Sequence, residues 1–227
     1  MAKKKITRKD LLKETDEFLS FSGRAINFFT AHQVQLKYAG MGIGVVILIY
    51  AAVYMYLGHV NKKGQEAYDR AYYSLSESLK PGAGHEDLMK SGTLFQEVMD
   101  RHGLSEAARL SLPQLAYVKA ADKKYDEAIA LYQEFLDDMA GDQPYESLAR
   151  LAMASCYEAT GRIKTAIETL NPIMEDGENP LKEAAMLSLA RLHRLDQNPG
   201  KAKEILKTFV EKYKDSPFLP MAKAGLY

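Results

Sequence analysis

Residues 153–170, MASCYEATGRIKTAIETL, place a small residue at Ala154, an aromatic at Tyr157, a glycine at Gly161, an apolar residue at Ile163 and a second small residue at Ala166. Two antiparallel helices approach closely only where alanine or glycine sits at the crossing, and the larger apolar side chains fill the space beside it. The spacing therefore predicts a helical hairpin that turns at Gly161. Residues 115–136, LAYVKAADKKYDEAIALYQEFL, repeat the pattern with Ala116, Tyr125, Ala128 and Tyr132, although Lys119 and Lys123 stand where the aromatic and the glycine are expected. Residues 188–209, SLARLHRLDQNPGKAKEILKTF, repeat it with Ala190, Ala202, Leu206 and Phe209, and put His193 at the aromatic place. Self-similarity at such a period marks a stack of supersecondary units, because one hairpin cannot bury its own apolar face.

Upstream, Tyr68, Ala71, Tyr72, Leu75 and Leu79 recur at helical spacing in 65–79, and Leu88, Leu94, Phe95 and Met99 do so in 86–101. Pro81, Gly82 and Gly84 break between them, which predicts a divergent first hairpin. Downstream, Asp215, Ser216 and Pro217 open a last short helix ending near Tyr227, placed to cap the exposed edge of the final repeat.

Before the repeats lies YAGMGIGVVILIYAAVYMYL, residues 38–57, twenty residues without a charge. As a helix such a run spans roughly 30 Å, the thickness of a bilayer's hydrocarbon core. The lead-in is too long for the first part of a signal peptide and no small-x-small cleavage site follows, so the run is expected to stay as an anchor. Residues 1–37 hold eight Lys/Arg against four Asp/Glu, and residues 58–227 hold 22 against 26. The short basic segment predicts a cytoplasmic N-terminus with the repeats outside. The close flanks separate less, with Arg24 and Lys37 before the run and Lys62, Lys63 and Arg70 after it. The expected organisation is a leader over 1–37, a transmembrane helix over 38–60 and a repeat domain over 61–227.

In the leader, Thr7 and Asp10 resemble a capping box, and Leu11, Thr15, Phe18, Ser22, Ala25 and Phe29 recur as on an amphipathic helix. Such a helix lies on the inner membrane surface, with Phe18, Phe21, Phe28 and Phe29 dipping inward, or docks on a partner, or serves as a partly ordered spacer. Gly40 and Gly44 form a GxxxG step at which another membrane helix can approach.

Chemistry is scarce in this chain. Nucleophile elbows, HExxH and phosphate-binding glycine loops are missing, and Gly40, Gly42 and Gly44 sit inside an apolar run with no strand before them. His32, His59, His85, His102 and His193 are scattered with no i, i+4 pair. Cys156 is the single cysteine, which excludes an internal disulfide, a multi-cysteine metal site and a lipid anchor, and its place beside Tyr157 predicts a small apolar filler. The mildly acidic tail argues against nucleic acid. We expect no enzyme activity, no cofactor and no metal.

These residues make 105–213 resemble a tetratricopeptide-repeat protein, which implies an all-α superhelix of three to four helical hairpins whose concave groove binds protein segments. Position by position, that resemblance assigns the groove to Leu110, Pro113, Tyr117, Ala120 and Ala121, then Leu148, Leu151, Ser155, Glu158 and Ala159, then Ala184, Leu187, Arg191, Arg194 and Leu195. Any of these side chains alternatively packs against the neighbouring hairpin. The Lys/Asn set with which some members hold a terminal carboxylate is missing from these positions. The wider plan of basic leader, one membrane helix and a few hairpins is similar to the ancillary-subunit family of the bacterial SecYEG translocon. It implies an inner-membrane protein with periplasmic repeats, whose partners are translocon subunits, chaperones or exported polypeptides. The alternative is a self-associating scaffold for an envelope or division complex.

Overall fold

The computed structural model describes residues 23–24, 26–28, 30–138, 143–175 and 177–226. Most of the leader pattern, from Thr7 and Asp10 to Phe21 and Ser22 with Ala25 and Phe29, lies outside the described residues. The chain divides into two compact units, Met1–Tyr56 and Leu57–Tyr227. Among the described residues every regular element is helical: α1 (Gln33–Ser78), α2 (His85–His102), α3 (Glu106–Ala121), α4 (Tyr125–Asp138), α5 (Gln143–Ala159), α6 (Ile163–Glu175), α7 (Lys182–Leu195), α8 (Pro199–Lys212) and α9 (Leu219–Ala224).

Helix α1 contains the whole apolar run and continues through Gly58 and Gly64 without a break. The two glycines are tolerated because each lowers helix propensity by only about 1 kcal/mol. By length and composition α1 can cross a membrane, and Val46, Leu48, Tyr50 and Tyr54 on it are exposed.

In the unit Leu57–Tyr227, apolar side chains gather into four successive clusters. The first joins Ala71 and Leu75 of α1 to Phe95 and Val98 of α2 and Leu115 and Val118 of α3. The next joins Leu112 and Ala116 of α3 to Ala128, Tyr132 and Phe135 of α4 and Met153 and Cys156 of α5. The third links Ala154, Ala166, Leu170 and Leu189, and the fourth links Met186, Ala190, Ala202, Phe209 and Ala222. Each cluster thus spans one hairpin and the first helix of the next, which is how stacked repeats complete a core that one hairpin lacks. Ala128, Ala166 and Ala202 have no exposed surface, as the crossing position requires.

Each of the three repeat turns puts one residue in the left-handed region: Lys123 at φ 62°, Gly161 at φ 74° and Gln197 at φ 58°. The hydrogen bonds are the same in all three. Lys124 N donates to Lys119 O, Arg162 N to Tyr157 O and Asn198 N to His193 O, while the residue before each donor reaches Ala120 O, Glu158 O and Arg194 O respectively. These are Schellman closures, and they explain why the turn is made at Lys123 and Gln197 without glycine.

The start of α3 is closed by two side chains. Ser105 Oγ accepts from Ala108 N at 3.2 Å, and Asn61 Oδ1 of α1 accepts from Glu106 N at 3.1 Å. That approach needs Gly64, where an added Cβ would lie 2.7 Å from Ser105 Cβ. At α9, Ser216 Oγ accepts from Phe218 N at 3.0 Å and donates to Glu183 of α7, tying the cap to the last repeat.

Candidate binding groove

The first helices of the hairpins line three hollows, of which the first two share residues. Tyr72, Leu75 and Ser76 of α1 and Leu79 just after it form a hollow of about 320 Å³ with Gln114 and Tyr117 of α3. The same Gln114 and Tyr117 form one wall of a cavity of about 450 Å³, which Tyr68, Leu110 and Pro113 share with Tyr145 and Leu148 of α5. No side chain lining these two hollows carries a formal charge. Burial pushes the phenols of Tyr68 and Tyr132 up from the ordinary value, so both stay neutral, and Tyr68 stacks edge-on against Phe95 at 5.7 Å. Leu148 is 54% exposed, a large apolar side chain held in water by a well-packed helix. Such a surface can bury apolar or aromatic side chains of a partner, while the hydroxyls of the exposed Tyr117 and Tyr145 can take its polar groups.

A third hollow, of about 560 Å³, lies between α7 and α9. Ala184, Leu187 and Leu195 of α7 and Phe218 and Met221 of the cap line it, and Arg191 and Arg194 stand on its wall. Arg191 pairs with Glu158 of α5, and Arg194 donates to the carbonyl of Gly225.

Of the residues assigned to the groove from sequence, Leu110, Pro113, Tyr117 and Leu148 meet at the central cavity, and Ala184, Leu187, Arg191, Arg194 and Leu195 meet at the third. Six line neither of these cavities: Ala120, Ala121, Leu151, Ser155, Glu158 and Ala159. Leu151 is half-buried against the cluster of Ala154, Ala166 and Leu170, so it packs between hairpins. Glu158 is half-buried, and Arg191 holds its carboxylate. Gly40 and Gly44 lie on α1, where a Cβ would meet nothing within 4 Å.

Tyr72, Leu75 and Leu79 were not assigned from sequence, yet the signal was present. They stand 38 residues before Leu110, Pro113 and Tyr117, the same step that separates Ala128 from Ala166. Phe218 and Met221 belong to the cap and stand 34 residues after Ala184 and Leu187, close to the 36-residue step from Leu148 and Leu151 to Ala184 and Leu187, so the repeat register also pointed to them.

Cys156 is buried in its cluster, and burial raises its thiol above the ordinary value, as expected for a filler. His193 is half-buried on α7, with its Nδ1 buried and unbonded. Among the described residues no group of three His, Cys, Asp or Glu could hold a metal ion.

A family model for a tetratricopeptide repeat-like domain matches residues 33–183, and one for a tetratricopeptide repeat matches residues 184–216. No curated protein matches the chain. Among solved structures, a tetratricopeptide repeat protein from Parabacteroides merdae superposes with a TM-score of 0.59 at 18% identity, covering 73% of this chain and 59% of that one. The chain therefore spans somewhat over half of that protein's length. A Podosopora anserina protein with nearly identical TPR-like repeats gives a TM-score of 0.58 at 17% identity, covering 74% of this chain and 84% of its own.

Proposed function

We infer function from family: the chain belongs to the tetratricopeptide repeat-like domain family, and it is a protein–protein interaction module. We propose that it works from a membrane. In this reading residues 38–60 span the inner membrane, residues 1–37 stay in the cytoplasm, and the repeats of 61–227 stand in the periplasm. There the groove takes segments of exported polypeptides or of the chaperones that receive them, beside the Sec translocon, and no catalysis is involved.

The observation that carries this reading is one helix with two uses. The apolar first part of α1 is long enough to span a bilayer, and its last turns, with Leu79 just beyond them, supply Tyr72, Leu75 and Leu79 to the uncharged part of the groove. A module that must sample unfolded chains needs such a surface, since apolar side chains and neutral tyrosines bind many sequences without selecting a charge pattern.

A photo-cross-linking residue placed at Tyr117 or Leu148 in cells tests this function. We expect adducts with translocon subunits, periplasmic chaperones or nascent secreted proteins. Adducts confined to cytosolic proteins, or a reporter fused after Tyr227 that is active only in the cytoplasm, would refute it.

A further inference from the structure

The proposed groove is not uniform along its length: two of its hollows carry no formal charge and the third carries two guanidinium groups. Residues 58–181 hold 13 Lys/Arg against 21 Asp/Glu, whereas residues 182–227 hold nine against five. The hollow between α7 and α9 sits in the basic part, and its walls combine large apolar side chains with two guanidinium groups. Arginine presents a planar fork of donors that matches a carboxylate in geometry as well as charge. Arg191 already meets the carboxylate of Glu158, but the recorded bond of Arg194 goes to a backbone carbonyl, which leaves its positive charge without a carboxylate among the described residues. Phe218 and Met221 on the opposite wall are exposed, and Met221 is flexible enough to close over side chains of different shape.

We propose that this hollow is a selective end of the groove. It takes a partner segment in which a large apolar side chain stands next to an Asp or Glu, with the apolar group among Leu187, Leu195, Phe218 and Met221 and the acid on Arg194. The idea rests on the groove reading above and adds polarity to it: the central hollow is indifferent to charge, and the α7–α9 hollow selects acid. A bound segment therefore lies in one register, its acidic part toward the cap. Because Arg194 also holds the cap through Gly225, binding there competes with a contact of α9 on α7.

The test selects peptides from a display library of random twelve-residue sequences fused through their C-termini, so that no free carboxylate is offered. The bait is the full chain in nanodiscs. We expect the selected pool to be enriched at least tenfold in Asp or Glu next to Leu, Ile, Met or Phe. We expect that enrichment to vanish with Arg194→Gln and to survive with Arg194→Lys, while Leu148→Arg lowers recovery of all peptides. Unfolding curves of each variant control for folding, and the acid preference of the unmodified chain needs no variant. A pool without acid preference, recovered only with Leu148 intact, overturns this proposal and leaves the groove reading standing. Acid preference that persists in Arg194→Gln also overturns it. Recovery of nothing overturns both.

Discussion

The three left-handed turn residues make a controlled experiment inside one chain. Lys123, Gly161 and Gln197 share one backbone conformation and one hydrogen-bond pattern, and only the middle one is glycine. A side chain in this conformation costs about 1–2 kcal/mol. Glycine escapes that cost, but its freer unfolded chain takes back about 0.5–1 kcal/mol. Gln197→Gly should therefore stabilise the fold by about 0.5–1 kcal/mol, and Lys123→Gly should do the same. Gly161→Ala should lose about 1 kcal/mol, because an added Cβ there meets no neighbour and only the backbone cost remains. For a domain of this size 1 kcal/mol moves Tm by about 2–4 °C. The assay is thermal unfolding of the full chain in detergent followed by circular dichroism, with amide exchange at α7 and α8 to locate the gain. Loss of stability in Gln197→Gly, or no change in Gly161→Ala, would refute the assignment of these turns.

Other outcomes follow from packing and charge. Gly64→Ala should destabilise the repeat domain by about 1–3 kcal/mol through overpacking against Ser105, whereas Gly58→Ala should not, and urea midpoints compare the two. Cys156 should resist maleimide labelling in the native protein and react fully in urea; fast native labelling would contradict its burial. The Asp122 carboxyl is held below the ordinary range chiefly by Lys124 and then by His85, and that of Glu127 by Lys119. Their stabilising effect is complete above the ordinary carboxylate pKa and fades as pH falls toward their lowered values, so Asp122→Asn with Glu127→Gln should flatten the acid side of a Tm-against-pH curve. If the open face at Gly40 and Gly44 joins two copies, Gly40→Leu with Gly44→Leu should convert a dimer in detergent to a monomer, as light scattering would record.

The sequence exposed the fold clearly because its strongest signals are steric. Ala116 and Ala128, Ala154 and Ala166, and Ala190 and Ala202 keep one separation, and that separation is the geometry of a hairpin crossing. The turns were less legible, since Lys123 and Gln197 adopt glycine's conformation without its identity. The closure of α3 by Asn61 was hidden altogether, because it joins residues 45 apart and leaves no periodic trace. In the candidate groove, positions on the first helix of each repeat were readable by register. Leu151 and Glu158 share that register, but whether a side chain faces outward or into the next hairpin depends on a few degrees of helix rotation. The cap's contribution at Phe218 and Met221 continues the register 34 residues after Ala184 and Leu187, but it lies beyond 105–213, where the repeat pattern is legible, and so it was passed over.

The asparagine that closes α3 has a consequence for how such a protein can be cut or recombined. Asn61 and Gly64 lie only a few residues beyond the apolar run, yet they finish the first repeat, and Ala71 and Leu75 cover Phe95 and Val98. A gene fusion or protease that separates the apolar run from the repeats has a window of about one helical turn, 57–60, in which to do so. A break farther on would release a domain whose first core is open on one side. Replacement of the apolar run by another segment is therefore confined to those few codons, and a repeat domain made by itself must begin there to keep its first core closed.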